Sequence, residues 1–221
     1  MSLGAPLTLD VPYADPNGFW VLALSRVLTS HKPDVLLPRE QAVLDEMPWA
    51  HRRSEWFAGR AAAKRLLAVA WGFSQNEVEV LPLESGAPRL WVKGEERPEL
   101  TVNISHTHGY AVAVCAREPV GIDVCDDDDG RRLPRIAKRV MSEGEAEACG
   151  AFNSVPHQAA VWAVKEAGLK LRMGGVFQPG ARSVRLESLM PPRVADTSMR
   201  LFLFRLPEAA VAVALNAVTA G

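Results

Sequence analysis

The sequence predicts an α+β protein built as two similar halves that meet near Pro119. Three observations carry this expectation. Each half holds one long helical stretch, Ala50 to Trp71 and Gln158 to Met173. Each then reaches a pair of strand-like runs read as a hairpin, Leu100 to Ile104 with Tyr110 to Ala116, and Met199 to Leu206 with Ala209 to Ala217. The second arm of the first pair, "AVAVCA" from Ala111, is echoed 99 residues later by "AVAVAL" from Ala210. Short Ala/Val matches arise by chance, so the weight falls on the shared order of elements. The expected halves are residues 1–118 and 119–221. A site where two such halves meet is the default expectation.

In order, residues 1 to 48 are punctuated by prolines. Trp20 to Leu28 is close to alternation and reads as a first strand, and Pro38 to Met47 as a short helix with proline in its first turn. The helix from Ala50 ends at Gly72. Trp56, Ala63, Leu66, Leu67 and Ala70 form its apolar face, and Arg52, Arg53, Arg60, Lys64 and Arg65 its basic one. Such a basic face is either solvated or a phosphate site. Val78 to Leu83 alternates as a strand, "ESGAPR" (84 to 89) is a turn, and Leu90 to Val92 begins another strand. Between the arms of the first hairpin lies "SHTHG". His106 and His108, two residues apart, face one side and either bind an anion or form a plain polar connection.

Pro119 to Asp129, "PVGIDVCDDDD", opens the second half. Val120, Ile122 and Val124 alternate with Gly121, Asp123 and Cys125, so Asp123 points away from its apolar neighbours. An acid there needs a cation or donors, and oxygen ligands at a strand end suit Mg²⁺. The plain alternative is a strand running into a solvated acidic turn. Ser142 with Glu145 fits a capping box opening a short helix. In the long helix that follows, Val161, Val164, Gly168 and Leu171 share one face. Trp162, Lys165, Glu166, Leu169 and Lys170 share another, so the three charges read as one patch, or as a simple Glu–Lys pair four residues apart. Gly174 and Gly175 close this helix. Ser183 to Leu189 is the remaining strand.

Composition narrows the function. At 48% hydrophobic and 23% charged the chain is ordinary globular material. A net charge of −1 gives no bulk electrostatic case for nucleic acid or a membrane surface. Cys115, Cys125 and Cys149 form no close pair, which argues for a reducing compartment and against a thiolate zinc site. With no signal-peptide pattern and no membrane-length apolar run, the expected location is the cytoplasm.

Several segments then resemble one family. "VGIDV" (120 to 124) and "WAVKEAGLK" (162 to 170) are similar to the two signature motifs of the Sfp-type 4′-phosphopantetheinyl transferases, (V/I)G(V/I)D and (F/W)xxKEAxxK. "NISHTHG" (103 to 109) resembles the upstream NxSHS segment, "EWFAGRAAAKRLL" (55 to 67) the helix before it, and "SGAPRL" (85 to 90) the GKP turn. They occur in the family's order, and the separation of Asp123 from Glu166 is close to the family's.

The resemblance implies a pseudo-dimeric fold of two α+β halves with coenzyme A bound at their interface. It implies transfer of the phosphopantetheine arm, with Mg²⁺ or Mn²⁺, to a serine of an apo acyl or peptidyl carrier protein, leaving adenosine 3′,5′-bisphosphate. Asp123 and Glu166 would hold the metal, and Glu166 would also be the base. Lys165 and Lys170 would bind phosphate. His106 and Ser105 would meet the nucleotide 3′-phosphate, with Arg53 and Arg60 as further phosphate contacts and Pro88 and Arg89 at the adenine. Trp162 packs structurally. Carrier recognition is expected on the irregular segment Asp126 to Pro156, and fused halves imply a monomer. Two positions depart from the pattern. Cys125 stands where many members have a second acid, so water or Asp127 would complete the metal shell, because soft sulfur suits Mg²⁺ poorly. Ala87 stands where the turn has lysine. These departures motivate an alternative, a non-catalytic module that binds coenzyme A or a carrier. A metal phosphatase would need an acid two residues after Asp123, which "DVC" lacks.

Overall fold

The computed structural model describes residues 5–6, 12–15, 20–27, 35–173 and 180–217. The chain divides into two compact units, one of residues 8–118 and one of residues 119–221 joined by the N-terminal segment. The latter takes in β1 (Ala5–Pro6). Each is a mixed α+β body in which one long helix lies on a mainly antiparallel sheet.

The first unit contains β2 (Tyr13–Ala14), β3 (Trp20–Arg26), α1 (Pro38–Asp45), α2 (Ala50–Trp71), β4 (Val78–Pro82), β5 (Pro88–Val92), β6 (Glu95–Glu96), β7 (Thr101–His106) and β8 (Tyr110–Ala116). Its main sheet has the order β2-β3-β8-β7, and β4-β5-β6 form a second, smaller sheet. The second unit contains β9 (Val120–Asp126), α3 (Asp127–Gly130), α4 (Leu133–Val140), α5 (Glu145–Ala148), α6 (Val155–Met173), β10 (Leu186–Leu189), β11 (Pro192–Val194), β12 (Met199–Leu206) and β13 (Ala209–Asn216). Its main sheet has the order β1-β12-β13-β9, with β1 parallel to β12.

The two units repeat one plan. In each, a strand is followed by a long helix and then a hairpin whose second arm inserts beside the first strand, giving β3-β8-β7 and β9-β13-β12. The echoed runs are these inserted arms. Ala113 and Cys115 join the core under α2, and Ala210, Ala212 and Ala214 the core under α6. Small side chains on that face let the helix approach the sheet, while Val112, Val114, Val211 and Val213 are buried on the other face.

The likeness extends to a buried ion pair that sequence reading missed. In the first unit Lys64 of α2 and Glu40 of α1, neither exposed at all, approach to 2.6 Å. Glu40 accepts the Leu37 N–H at 3.0 Å and the Val80 N–H at 2.9 Å. Lys64 donates to the Val35 carbonyl at 2.8 Å. In the second unit Lys165 of α6 and Glu145 of α5, again with no exposure, meet at 2.5 Å. Glu145 accepts the Ser142 N–H at 2.7 Å and the Leu186 N–H at 2.8 Å. Lys165 donates to the carbonyls of Val184 at 2.8 Å and Ala181 at 3.2 Å. Each carboxylate thus takes one N–H three residues back and one from the strand after the long helix, so each pair ties three segments together. Satisfied this fully, a buried pair is tolerated at no large cost.

Most expected elements are present, with corrections. The segment Asp126 to Pro156 is not irregular, since it holds α3, α4, α5 and the start of α6. The acidic run is not a plain turn: Asp126 caps α3, accepting the Asp129 N–H at 2.7 Å. Glu145 makes one half of a capping box, but the cap position is Gly144. Strand β11 was not foreseen, and a 3-10 turn at Ala181–Ser183 precedes β10. Gly174 and Gly175 lie outside the described residues. Among the described residues no helix is long and apolar enough to cross a membrane.

Candidate active site

The second unit carries an acid pair beside a lysine. Asp123 sits on β9 opposite Ala212 of β13, on the face that meets α6, and is 6% exposed. Lys170 of α6 donates to Asp123 Oδ1 at 2.7 Å. Glu166, one turn before Lys170, is raised above the usual carboxylate range. Burial is the main cause, the charge of Asp123 adds to it, and Lys170 opposes it. Lys170 thus sits beside Asp123 with the Glu166 carboxylate within electrostatic range of both, a half-buried gathering of negative charge that suits a divalent cation. Glycine makes the approach possible. A Cβ on Gly121 would lie 2.0 Å from the Ala167 carbonyl oxygen and 2.6 Å from the Leu171 nitrogen. Without a side chain there, α6 comes down onto β9, Lys170 reaches Asp123, and Glu166 comes within range of its charge.

In the first unit the corresponding positions carry no acids. Ala23 faces Ala113 on β8 as Asp123 faces Ala212 on β13. Arg65, which follows the buried Lys64 as Glu166 follows Lys165, donates to the Ser25 hydroxyl at 3.1 Å.

The first unit has its own polar cluster at the end of its hairpin. Ser105 is buried in β7, and His106 ends that strand. Glu55 of α2, with a side chain 7% exposed, reaches His106 Nδ1 at 3.3 Å through Oε2 and His108 Nδ1 at 3.4 Å through Oε1. Arg52 approaches Glu55 Oε2 at 3.5 Å. His51 and His108 have ring centroids 6.5 Å apart. His106 and His108 thus do face one side, gathered by Glu55.

The family match falls on the second unit. A sequence profile described as the 4′-phosphopantetheinyl transferase superfamily matches residues 119–210. A holo-[acyl-carrier-protein] synthase of Geobacillus kaustophilus is 36% identical over 93 residues, 39% of this chain and 70% of that protein. One from Oceanobacillus iheyensis is 36% identical over 84 residues, 36% of this chain and 70% of its own. The chain belongs to the 4′-phosphopantetheinyl transferase superfamily. A crystal structure at 2.31 Å of a holo-(acyl-carrier-protein) synthase from Bacillus anthracis, in complex with CoA (3′,5′-ADP), has a TM-score of 0.37. Its sequence identity is 23%, over 44% of this chain and 92% of that one. That likeness is slight, and the family assignment rests on the sequence matches.

Against the transferase motifs, the structure separates residues that the sequence grouped. Lys165 does not join Glu166 and Lys170 in one patch. It points into the core, fully enclosed, and burial pulls its ammonium below the ordinary lysine range while Glu145 opposes that. Arg60 and Lys64 do not belong to an exposed basic face either. Arg60 is 7% exposed, stacks 3.8 Å over the Trp56 ring and donates to the Val80 carbonyl at 3.2 Å, its pKa lowered to about 10 by burial. Arg53 remains part-exposed on α2, and Ala70 is exposed rather than part of the apolar face. Pro88 and Arg89 open β5, with Arg89 3.5 Å from Glu96.

Asp127 does not continue the strand face of Asp123. It begins α3 and pairs with Arg205 at 2.5 Å. Cys125 is buried, its thiol pushed well up by burial and the surrounding acids, and it faces the Asp126 carbonyl at 3.3 Å. Trp162 is half-buried against the core of the second unit.

Proposed function

We propose that this chain transfers the 4′-phosphopantetheine arm of coenzyme A to a serine hydroxyl of an apo acyl or peptidyl carrier protein, as an Sfp-type member of its family acting as a monomer. The observation that carries this reading is Lys170 of α6 paired with Asp123 of β9 over Gly121, with the Glu166 carboxylate within electrostatic range of both. The matched relatives, which bear the name of carrier-protein synthases, support it.

The residues fit a divalent ion. Among the described residues no group of three or more His, Cys, Asp or Glu side chains could hold a metal. Two carboxylates are nonetheless what Mg²⁺ commonly takes from a protein when substrate phosphates and water supply the rest. Asp123 and Glu166 would hold it, with Mn²⁺ as a substitute. The thiol of Cys125 is unsuited to either ion, and Asp127 is engaged by Arg205. When bound, the ion supplies Lewis-acid polarisation of the pyrophosphate.

The chain's own groups do the rest. Glu166 takes the proton of the serine hydroxyl, directly or through water, as that oxygen bonds to phosphorus. The bond from that phosphorus to the bridging oxygen breaks, and adenosine 3′,5′-bisphosphate leaves with the electron pair. Lys170 neutralises charge on the phosphates in the transition state. His106 and Ser105 receive the nucleotide 3′-phosphate, Arg53 adds a phosphate contact, and Pro88 and Arg89 lie against adenine. Lys165 and Arg60 hold the fold rather than the substrate.

The test is incubation with coenzyme A, Mg²⁺ and an apo carrier protein, read by intact mass. A carrier that gains one phosphopantetheine group, and loses that gain with Asp123→Ala or Glu166→Ala, supports the reading. No gain across fatty-acid, polyketide and peptide carriers, with coenzyme A still bound, favours a non-catalytic binding module, the alternative suggested by Cys125 and Ala87.

A further inference from the structure

Glu55 is an acid on a buried stripe. It shares one side of α2 with Gly59, Ala62 and Leu66, all enclosed. A carboxylate there is retained only where donors meet it. Two come from the end of the hairpin, Nδ1 of His106 at 3.3 Å and Nδ1 of His108 at 3.4 Å, and one from α2 itself, Arg52 at 3.5 Å. The packing that brings them together is specific. A Cβ on Gly59 would lie 2.7 Å from Ile104 Cγ2, so the missing side chain lets α2 rest on β7. Glu55 stands one turn before that contact and His106 two residues after it.

A carboxylate on one ring nitrogen decides which tautomer the imidazole adopts and what the other nitrogen offers a ligand. With Nδ1–H held by Glu55, Nε2 of the neutral ring is an acceptor. A proton taken from solvent at Nε2 turns it into a donor, and the acid behind the ring stabilises the imidazolium that results. The charged and titratable groups gathered here are Glu55, Arg52 and His51 on α2, His106 on β7 and His108 in the connection to β8. One acid among four basic side chains leaves room for an anion.

We infer that Glu55 is a positioning residue for phosphate: it holds His106 by Nδ1 so that Nε2, protonated as the anion arrives, meets the 3′-phosphate of coenzyme A. The inference rests on the nucleotide assignment proposed above. Glu55 touches no substrate atom. It acts through His106, so the nucleotide binds with uptake of a proton.

Two measurements test this. The first compares KM and kcat for coenzyme A and 3′-dephospho-coenzyme A in wild type, E55Q, H106Q and the double variant. Titration of adenosine 3′,5′-bisphosphate in buffers of different ionisation heat counts the protons. E55Q should raise KM for coenzyme A about tenfold, as loss of one charged hydrogen bond does, with little change in kcat or in 3′-dephospho-coenzyme A. It should also reduce the proton uptake, and add little in the H106Q background. A wild type indifferent to the 3′-phosphate removes the nucleotide assignment and this inference together. A wild type that discriminates, with E55Q discriminating as well, overturns the role of Glu55 alone, as does full additivity with H106Q. The second measurement needs no variant. The ¹⁵N shifts of the wild-type His106 ring above its titration should report the Nδ1–H tautomer, and the Nε2–H tautomer there refutes the arrangement.

Discussion

Replacing Lys165 with methionine tests whether the first lysine of the helix signature serves the fold or the substrate. Methionine keeps most of the stem's volume, so the cavity left is small. The ammonium is lost, and with it the 2.5 Å contact to Glu145 and the hydrogen bonds to the Val184 and Ala181 carbonyls. Removing one partner of a fully enclosed pair costs about 3–5 kcal/mol, because the other charge stays buried. Glu145 keeps the Ser142 and Leu186 N–H groups, which places the expectation near the lower end, about 3 kcal/mol. That is a large part of the 5–15 kcal/mol typical of a whole protein. Urea unfolding followed by circular dichroism measures it. The K165M/E145Q double variant should lose less than the two single losses added together, since the stranded charge is gone. At a temperature where K165M is folded, its KM for coenzyme A should match the wild type's. An unchanged urea midpoint with turnover abolished would mean that Lys165 acts on the substrate, and the network argument would be wrong.

Gly121→Ala should be severe in another way. The new Cβ meets backbone atoms of α6, so the helix must back away from β9, and turnover should fall about 100-fold from misplacement of Glu166 and Lys170. Normal kcat in a folded G121A protein contradicts the close-approach account. Without metal, burial and the charge of Asp123 raise the folded pKa of Glu166 above the ordinary carboxylate range. NMR titration of the metal-free protein should show that pKa dropping in Asp123→Asn, and no change there removes Asp123 as a cause. Ionised Glu166 opposes folding at any pH above its raised pKa. Glu166→Gln should therefore raise the unfolding midpoint at neutral pH, with the gap closing as pH falls below the unfolded carboxyl value. Chelation should stop transfer, and Mg²⁺ at about 100 times its Kd should add about 2.7 kcal/mol of stability. A midpoint blind to both Mg²⁺ and Mn²⁺ leaves the acid pair without a metal.

What the sequence revealed follows from how local each signal is. Alternation in Val120 to Val124 and the stop at Gly72 after Trp71 act within a few residues, and those elements appear as expected. The approach of Lys170 to Asp123, with Glu166 one turn away, was legible because a strand period and a helix period set which face each residue takes. Lys165 was misassigned because a helical wheel shows which side a residue takes and not what lies there. Its neighbour Val161, one turn earlier, was already on the buried side. Glu145 was read through its backbone partner at Ser142, while its second partner lies across the unit, where spacing carries no information. Glu55 had a signal that went unused, since it falls in step with Gly59, Ala62 and Leu66. Asp127 depended on where β9 stopped, and strand ends are poorly marked when the next residues are all acids.

The twin lysine–glutamate anchors separate ancestry from activity in the signature helix. Lys64 and Lys165 are matched in role, yet only the second is followed by an acid facing another acid. Under the proposed function, a homologue that keeps Lys165 and Glu145 while losing Asp123 and Glu166 should fold soundly and transfer nothing. The lysine most easily spotted in such a motif therefore reports architecture, and its immediate neighbour is the better guide to chemistry.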